Sequence, residues 1–372
     1  MKKFVEQLLV FMLPFYVAVI AIGICYFMGY EIGELCDYNK LIERQREDPS
    51  IFIGMGYNEQ TEYYKIVNAN YYQTDVIALG TSRVMQFKSD YFLEDFYNCG
   101  GAVSGNYDEY LNFLQNLNYD PKVILLGLDT WVFNDEWNKS CLEYSAYTPL
   151  EMKNRGTLSI MKAMVQDFVD GKWSLRDIRR YNMNYGFNGR IKDEGFQWDG
   201  SYYYGNLYRN PKESPDYMFA DTLDRVTKGY GRFEWGSAID DETCEYLEAL
   251  LKYCKQKDIE VIGFAPPLAP GIYSKMIESG NYDYLYEIEP ACEKVFEKYD
   301  YLYADYTNGA VLGVDDTYFL DGFHGSEVVY AYIINDLYIR DSKLNEYVDK
   351  EKLDTLLADY YDNWQLKDFV HK

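Results

Sequence analysis

Histidine is scarce in this 372-residue chain: there are two, His324 and His371. So few imidazoles argue against a metal-dependent phosphoesterase, which needs clustered histidines and carboxylates at strand ends. The seven cysteines, at 25, 36, 99, 141, 244, 254 and 292, form no CxxC pair, so a structural zinc site has no ligand set. An external location would permit disulfides, but the spacing assigns none. No Walker loop and no GxGxxG occurs, which leaves nucleotide chemistry unsupported. Basic charge is in deficit: 36 Lys and Arg against 60 Asp and Glu give a net charge of −24, and nucleic acid wants a basic face. No cofactor motif is present. What the chain has in excess is tyrosine, 41 residues. Flat rings with hydroxyls suit stacking on sugars, and they serve ordinary core filling equally well.

The N-terminus reads as an anchor. Lys2 and Lys3 precede an uncharged run from Gln7 to Tyr30, long enough to cross a bilayer as a helix, with Pro14 inside it. No small-x-small cleavage site ends the run, and Ile24 precedes Cys25 where a lipoprotein signal wants a small residue. The expectation is an uncleaved single-pass anchor over residues 1–31. Its lysines would lie inside, and Glu31, Glu34 and Asp37 on the far side with the rest of the chain outside the cytoplasm. Residues 32–70 read as a polar juxtamembrane segment.

Beyond it, apolar runs ending in glycine or proline mark buried strands at Asp75–Gly80, Lys122–Gly127 and Glu260–Ala265, with shorter strands at Phe96–Asn98 and Tyr301–Tyr306. Helices are predicted over Tyr107–Leu117, Asp241–Lys257, Ile288–Tyr299 and Glu327–Leu337. Cys254 falls on the apolar face of the second, and Cys99 beside a strand. Strand alternating with helix predicts an α/β fold with a doubly wound parallel sheet over 71–130 and 241–342. Residues 131–240, rich in Tyr, Asn, Gly and Arg, read as an insertion, a lid or substrate platform, with Trp131, Tyr203 and Tyr204 as candidate stacking residues. Residues 343–372 read as a C-terminal helical tail.

Ligands of such sheets bind at the carboxyl ends of the strands. Four loops fall there: Gly80-Thr81-Ser82-Arg83, Asn98 to Gly105, Gly127-Leu128-Asp129, and Asp321-Gly322-Phe323-His324. A serine after the first strand exposes its hydroxyl beside backbone N–H groups that can hold an oxyanion, although Thr81 or Ser82 could equally cap a helix. Asp321 can stand behind the His324 ring, hold one nitrogen and leave the other to take a proton from a nucleophile. Asp321 or Ser326 could instead cap the following helix. Arg83 reads as a helix-surface salt bridge or as a partner for an anionic group.

These blocks resemble those of the SGNH (GDSL-type) hydrolases over roughly residues 70–130 and 240–340. The nucleophile block is Ile77-Ala78-Leu79-Gly80-Thr81-Ser82, the second is Asn98 with Ser104-Gly105, and the last is Asp321-Gly322-Phe323-His324. The third departs. Where the family has Gly-x-Asn-Asp, with asparagine donating to the oxyanion, this chain has Gly127-Leu128-Asp129, a carboxylate where a donor is wanted. A narrower resemblance is to membrane-anchored envelope acyltransferases, the D-alanyl transfer protein of teichoic acid synthesis and alginate-type O-acetyltransferases. It implies an acyl donor delivered through a membrane-bound acyltransferase partner and an envelope polysaccharide or teichoic-acid-like acceptor.

The expected chemistry is acyl transfer or ester hydrolysis. Ser82 would be the nucleophile, His324 the base and Asp321 its orienting group, with the N–H groups of Ser82 and Gly105 holding the oxyanion. The rival is a non-catalytic envelope polymer-binding scaffold on the same fold, favoured by Asp129 and opposed by the intact Ser82, Asp321 and His324.

Overall fold

The computed structural model describes residues 2–93, 95–137, 148–153, 155–178, 183–341 and 343–367; Cys141 and His371 lie outside them. Its α-helices are, in chain order, α1 (Lys2–Glu31), α2 (Tyr38–Glu47), α3 (Thr61–Tyr72), α4 (Tyr107–Gln115), α5 (Thr157–Val169), α6 (Leu175–Ile178), α7 (Gly205–Arg209), α8 (Ala220–Lys228), α9 (Asp241–Gln256), α10 (Pro270–Ser279), α11 (Leu285–Glu297), α12 (Glu327–Arg340) and α13 (Lys350–Ala358). Its strands are β1 (Val76–Leu79), β2 (Phe96–Asn98), β3 (Val123–Gly127), β4 (Glu194–Phe196), β5 (Tyr202–Tyr204), β6 (Glu260–Ala265) and β7 (Leu302–Asp305). The chain forms two compact units, one of residues 1–60, 152–198 and 203–206, the other of residues 61–151, 199–202 and 207–372.

The second unit is α/β. Its sheet has five parallel strands in the order β2-β1-β3-β6-β7, with Val76 opposite both Phe96 and Val123, Val123 opposite Glu260, and Ile262 opposite Leu302. Every residue of β1 and β3 is buried, which explains their unbroken apolar sequences: a sheet covered on both faces has no polar side to alternate with. Strand order reverses between β1 and β3, so the loops that follow these two strands flank the switch point.

The helices follow from local signals. Asp240 caps α9 by accepting from Glu242 N, and Leu247, Leu250, Leu251 and Cys254 face the core. Pro270 opens α10 in its first turn, a start signal that follows too closely on Pro266-Pro267 to be read from sequence alone. Ser326 caps α12 by accepting from Val329 N, which leaves Asp321 free of that duty. Leu353 and Leu356 of α13 are buried, so this part of the tail is packed.

The first unit contains the one helix of the described residues that is long and apolar enough to cross a membrane, over Glu6–Glu31. Residues 32–60, read from sequence as part of a polar segment, hold α2 with Tyr38, Leu41 and Ile42 buried. Glu34 is fully buried rather than solvated. Its carboxylate accepts from the backbone N–H groups of Gly56 (2.6 Å), Phe187 (2.7 Å), Tyr57 (3.1 Å) and Asn58 (3.1 Å). Burial raises its pKa above the ordinary glutamate value, and the four N–H groups offset that only in part. A small second core gathers Ile32, Tyr57, Ile160, Met164, Trp173 and Phe187. The six described cysteines are all unbonded, with Cys99 and Cys254 buried as expected.

Candidate active site

The site is built on the loop after β1. Val76–Leu79 end at Gly80, and the chain turns at once into a single 3-10 turn over Ser82–Val84. Thr81, not Ser82, caps that turn: its Oγ1 accepts from Arg83 N at 3.3 Å. The Ser82 hydroxyl is therefore left over, and it lies 2.9 Å from His324 Nε2. Asn98 braces the turn from the end of β2. Its Nδ2 donates to Val84 O and Phe87 O, each at 2.9 Å, and its Oδ1 accepts from Gly100 N at 2.7 Å.

His324 is held from behind by Asp321. Asp321 Oδ2 lies 2.7 Å from His324 Nδ1, and Oδ1 accepts from the backbone N–H groups of Phe323 (2.9 Å) and His324 (2.8 Å). Burial pushes the Asp321 carboxyl up, but His324 and these two N–H groups outweigh it, and the pKa falls below the ordinary aspartate value. An ionised carboxylate only accepts, so Nδ1 carries the proton and Nε2 is left to accept from Ser82 Oγ. The three side chains form one hydrogen-bonded chain, partly open to solvent: the histidine side chain is 15% exposed and the aspartate 23%.

Two supports for this loop had no signal in the sequence. Asp216 lies in an irregular stretch far from any motif, yet its Oδ2 accepts from Gly322 N at 2.9 Å, between Asp321 and His324. Thr222 packs against Gly322 so closely that a Cβ there would meet Thr222 Cγ2 at 2.4 Å, so the position excludes a side chain.

Arg83 departs from expectation. It is neither on a helix surface nor turned toward a ligand: its side chain is 0% exposed. Nε donates to Phe323 O at 2.9 Å, Nη1 to Asp129 Oδ1 at 3.1 Å and Nη2 to Pro266 O at 2.5 Å. The Arg83 carbonyl accepts from the Tyr330 hydroxyl. One guanidinium thus joins the loops after β1, β3 and β6 to the residue before His324. Asp129, expected to face an oxyanion, is instead engaged by Arg83 in the core. Burial raises its pKa above the ordinary aspartate value, and Arg83 offsets this in part. Trp131, a candidate stacking residue, is buried and so has a structural place, with the guanidinium carbons of Arg83 and Arg232 at 5.4 and 5.1 Å from its ring. Tyr203 and Tyr204 belong to the first unit, where Tyr203 packs on Phe52 with ring centroids 5.3 Å apart.

Gly105 sits against the residue before Ser82: a Cβ on it would lie 3.8 Å from Thr81 Cγ2 and 3.0 Å from Val132 Cγ2. Its φ of +124° is closed to most residues with a side chain. Among the described residues neither Ser82 N–H nor Gly105 N–H donates a hydrogen bond within the protein. No group of three or more His, Cys, Asp or Glu side chains able to hold a metal ion occurs among the described residues.

Compared with protein families and with curated proteins, the chain matches no family model and no single protein.

Proposed function

We propose that the chain is a membrane-anchored serine acyltransferase or esterase of the SGNH type, acting on a cell-envelope polysaccharide or a related polymer. The observation that carries this reading is the hydrogen-bonded chain from Ser82 Oγ through His324 to Asp321 at the carboxyl ends of parallel strands. Nε2 takes the Ser82 proton while Oγ attacks the acyl carbonyl carbon. The oxyanion so formed accepts from the N–H groups of Ser82 and Gly105, each such donor being worth about 3 kcal/mol. His324 returns its proton to the leaving oxygen, and the acyl group rests on Ser82 as an ester. A sugar hydroxyl, or water, then gives its proton to His324 and takes the acyl group, and as the ester bond breaks His324 passes that proton to Ser82 Oγ. Asp321 stays ionised and stabilises the imidazolium.

On this reading the helix over Glu6–Glu31 anchors the protein with its folded units outside the cytoplasm. The acyl donor arrives through a membrane-bound acyltransferase partner. The engagement of Asp129 by Arg83 removes a free carboxylate from the path of the oxyanion. The same residue, standing where a donor is expected, favours a second reading in which the loops at the strand ends bind polymer without chemistry.

One experiment separates the two. The full-length protein in detergent is treated with a fluorophosphonate, and the adduct is located by mass spectrometry. Labelling at Ser82 that is lost in His324→Ala is the expected result. An unlabelled but folded protein would favour the polymer-binding reading.

A further inference from the structure

The first unit has an apolar feature that acyl transfer does not use. α5 packs against the C-terminal part of α1, and between them runs a groove of about 320 Å³. Ile24, Cys25 and Met28 line one side, and Met164, Val165 and Phe168 the other. Every side chain facing it is uncharged. On a helical wheel, Ile160, Met164, Phe168, Met161, Val165, Leu158 and Val169 of α5 fall on one continuous arc of about 180°, with Ser159 and Gln166 opposite and Lys162 and Asp167 at its two edges. Ile160, Met161 and Met164 are buried. The rest of the arc is bare: Leu158 is 79% exposed, Val169 73%, Val165 49% and Phe168 44%. That is costly in water and ordinary in hydrocarbon.

The depth of the groove follows from α1. At 1.5 Å per residue, Ala21 lies about 15 Å and Met28 about 4.5 Å along the helix axis from Glu31, the charge that ends the apolar run. A bilayer core is about 30 Å thick, so a helix that crosses it carries these residues in the half nearest Glu31. Whatever packs beside them sits at the same level.

We propose that α5 is immersed in the membrane alongside α1, and that the groove between them takes an acyl chain of a bilayer phospholipid. The proposal rests on α1 crossing the membrane. Dispersion contact with uncharged walls would supply the attraction, and the polar arc with Lys162 and Gln166 would face the headgroups.

The test uses the full-length protein reconstituted in vesicles of phosphatidylcholine whose acyl chain carries a mid-chain diazirine. After irradiation, adducts are mapped by mass spectrometry, and a parallel sample is extracted with alkaline carbonate. The expected result is comparable adduct yield on α1 at Ile24–Met28 and on α5 at Val165–Val169, with the protein resisting extraction and Val165→Asp lowering the α5 yield. Adducts on α1 alone, in protein that resists extraction, overturn the proposal and leave the anchor standing. Protein released by carbonate overturns the anchor itself. Ready oxidation to a dimer through Cys25 would place a second copy in the groove and overturn the lipid as occupant.

Discussion

Ser82 and Arg83 are neighbours in the chain and opposites in the structure. Ser82 points to a partly open pair with His324, 2.9 Å away. Arg83 points down into a closed one with Asp129, at 3.1 Å and with both side chains almost wholly buried. The upper pair can exchange a proton and is tolerant of water. The lower pair exchanges nothing, and its charges are costly to bury unless both are present. A single 3-10 turn therefore places one residue against His324 in the partly open layer and sends the next into the core.

The largest effect should come from the upper pair. On the proposed reading Ser82→Ala removes the nucleophile, and turnover of a chromogenic ester should fall by roughly 10⁴-fold or more, while thermal unfolding moves little. A comparable loss of fold would break the distinction between the two layers. Next is the lower pair. Arg83→Leu takes from buried Asp129 its main counter-charge and should cost about 3–5 kcal/mol in chemical denaturation, with Asp129→Leu on top recovering part of it. Third is the proposed oxyanion side: Gly105→Ala meets Val132 at an unfavourable φ and should cost about 1–3 kcal/mol and, on the proposed reading, slow fluorophosphonate labelling. The smallest belongs to the exposed pair Lys122–Asp75 at the other end of the sheet. Its side chains are 62% and 32% exposed, and Lys122→Ala should leave the chemical-denaturation midpoint nearly unchanged.

Acid should also tell the layers apart. Asp321 has a folded pKa below the ordinary aspartate value, so its contribution is present at neutral pH and lost as pH falls through that lowered value. Asp129 has the opposite sign: its raised folded pKa imposes a penalty at neutral pH that is relieved as pH falls toward the ordinary value of 3.8. The stability gap between wild type and Asp321→Asn should narrow in acid. A gap that widens would contradict the assignment of Asp321 as an ionised acceptor.

The three central strands were legible because their apolar runs are closed by glycine or proline, a pattern that buried parallel strands impose, whereas β2 and β7 at the edges are short and carry Asn98 and Asp305. The meeting of Ser82, Asp321 and His324 was legible because the loops on the carboxyl side of a parallel sheet gather at one edge. Arg83 was not. Its partners are 46 positions away at Asp129 and 240 at Phe323, and nothing local distinguishes a guanidinium bound for the core from one bound for solvent. Asp216 was invisible for the same reason, its bond to Gly322 spanning 106 positions. Residues 32–60 misled because polar composition hides which carboxylates and tyrosines turn inward: Glu34 and Tyr38 are among the most buried side chains of their unit.

The burial of Glu34 has a mechanical side. Its four backbone donors come from Gly56–Asn58 and from Phe187, so the chain just past α1 is riveted at two separate places. A soft tether would let the folded part swivel freely above its anchor. Here the helix meets its unit as a lever with no hinge at the base, and tilting or turning α1 would carry that unit along with it. Cutting the chain just before Ile32 would take away more than a mooring, because Met28 and Cys25 wall the same groove as Met164 and Trp173.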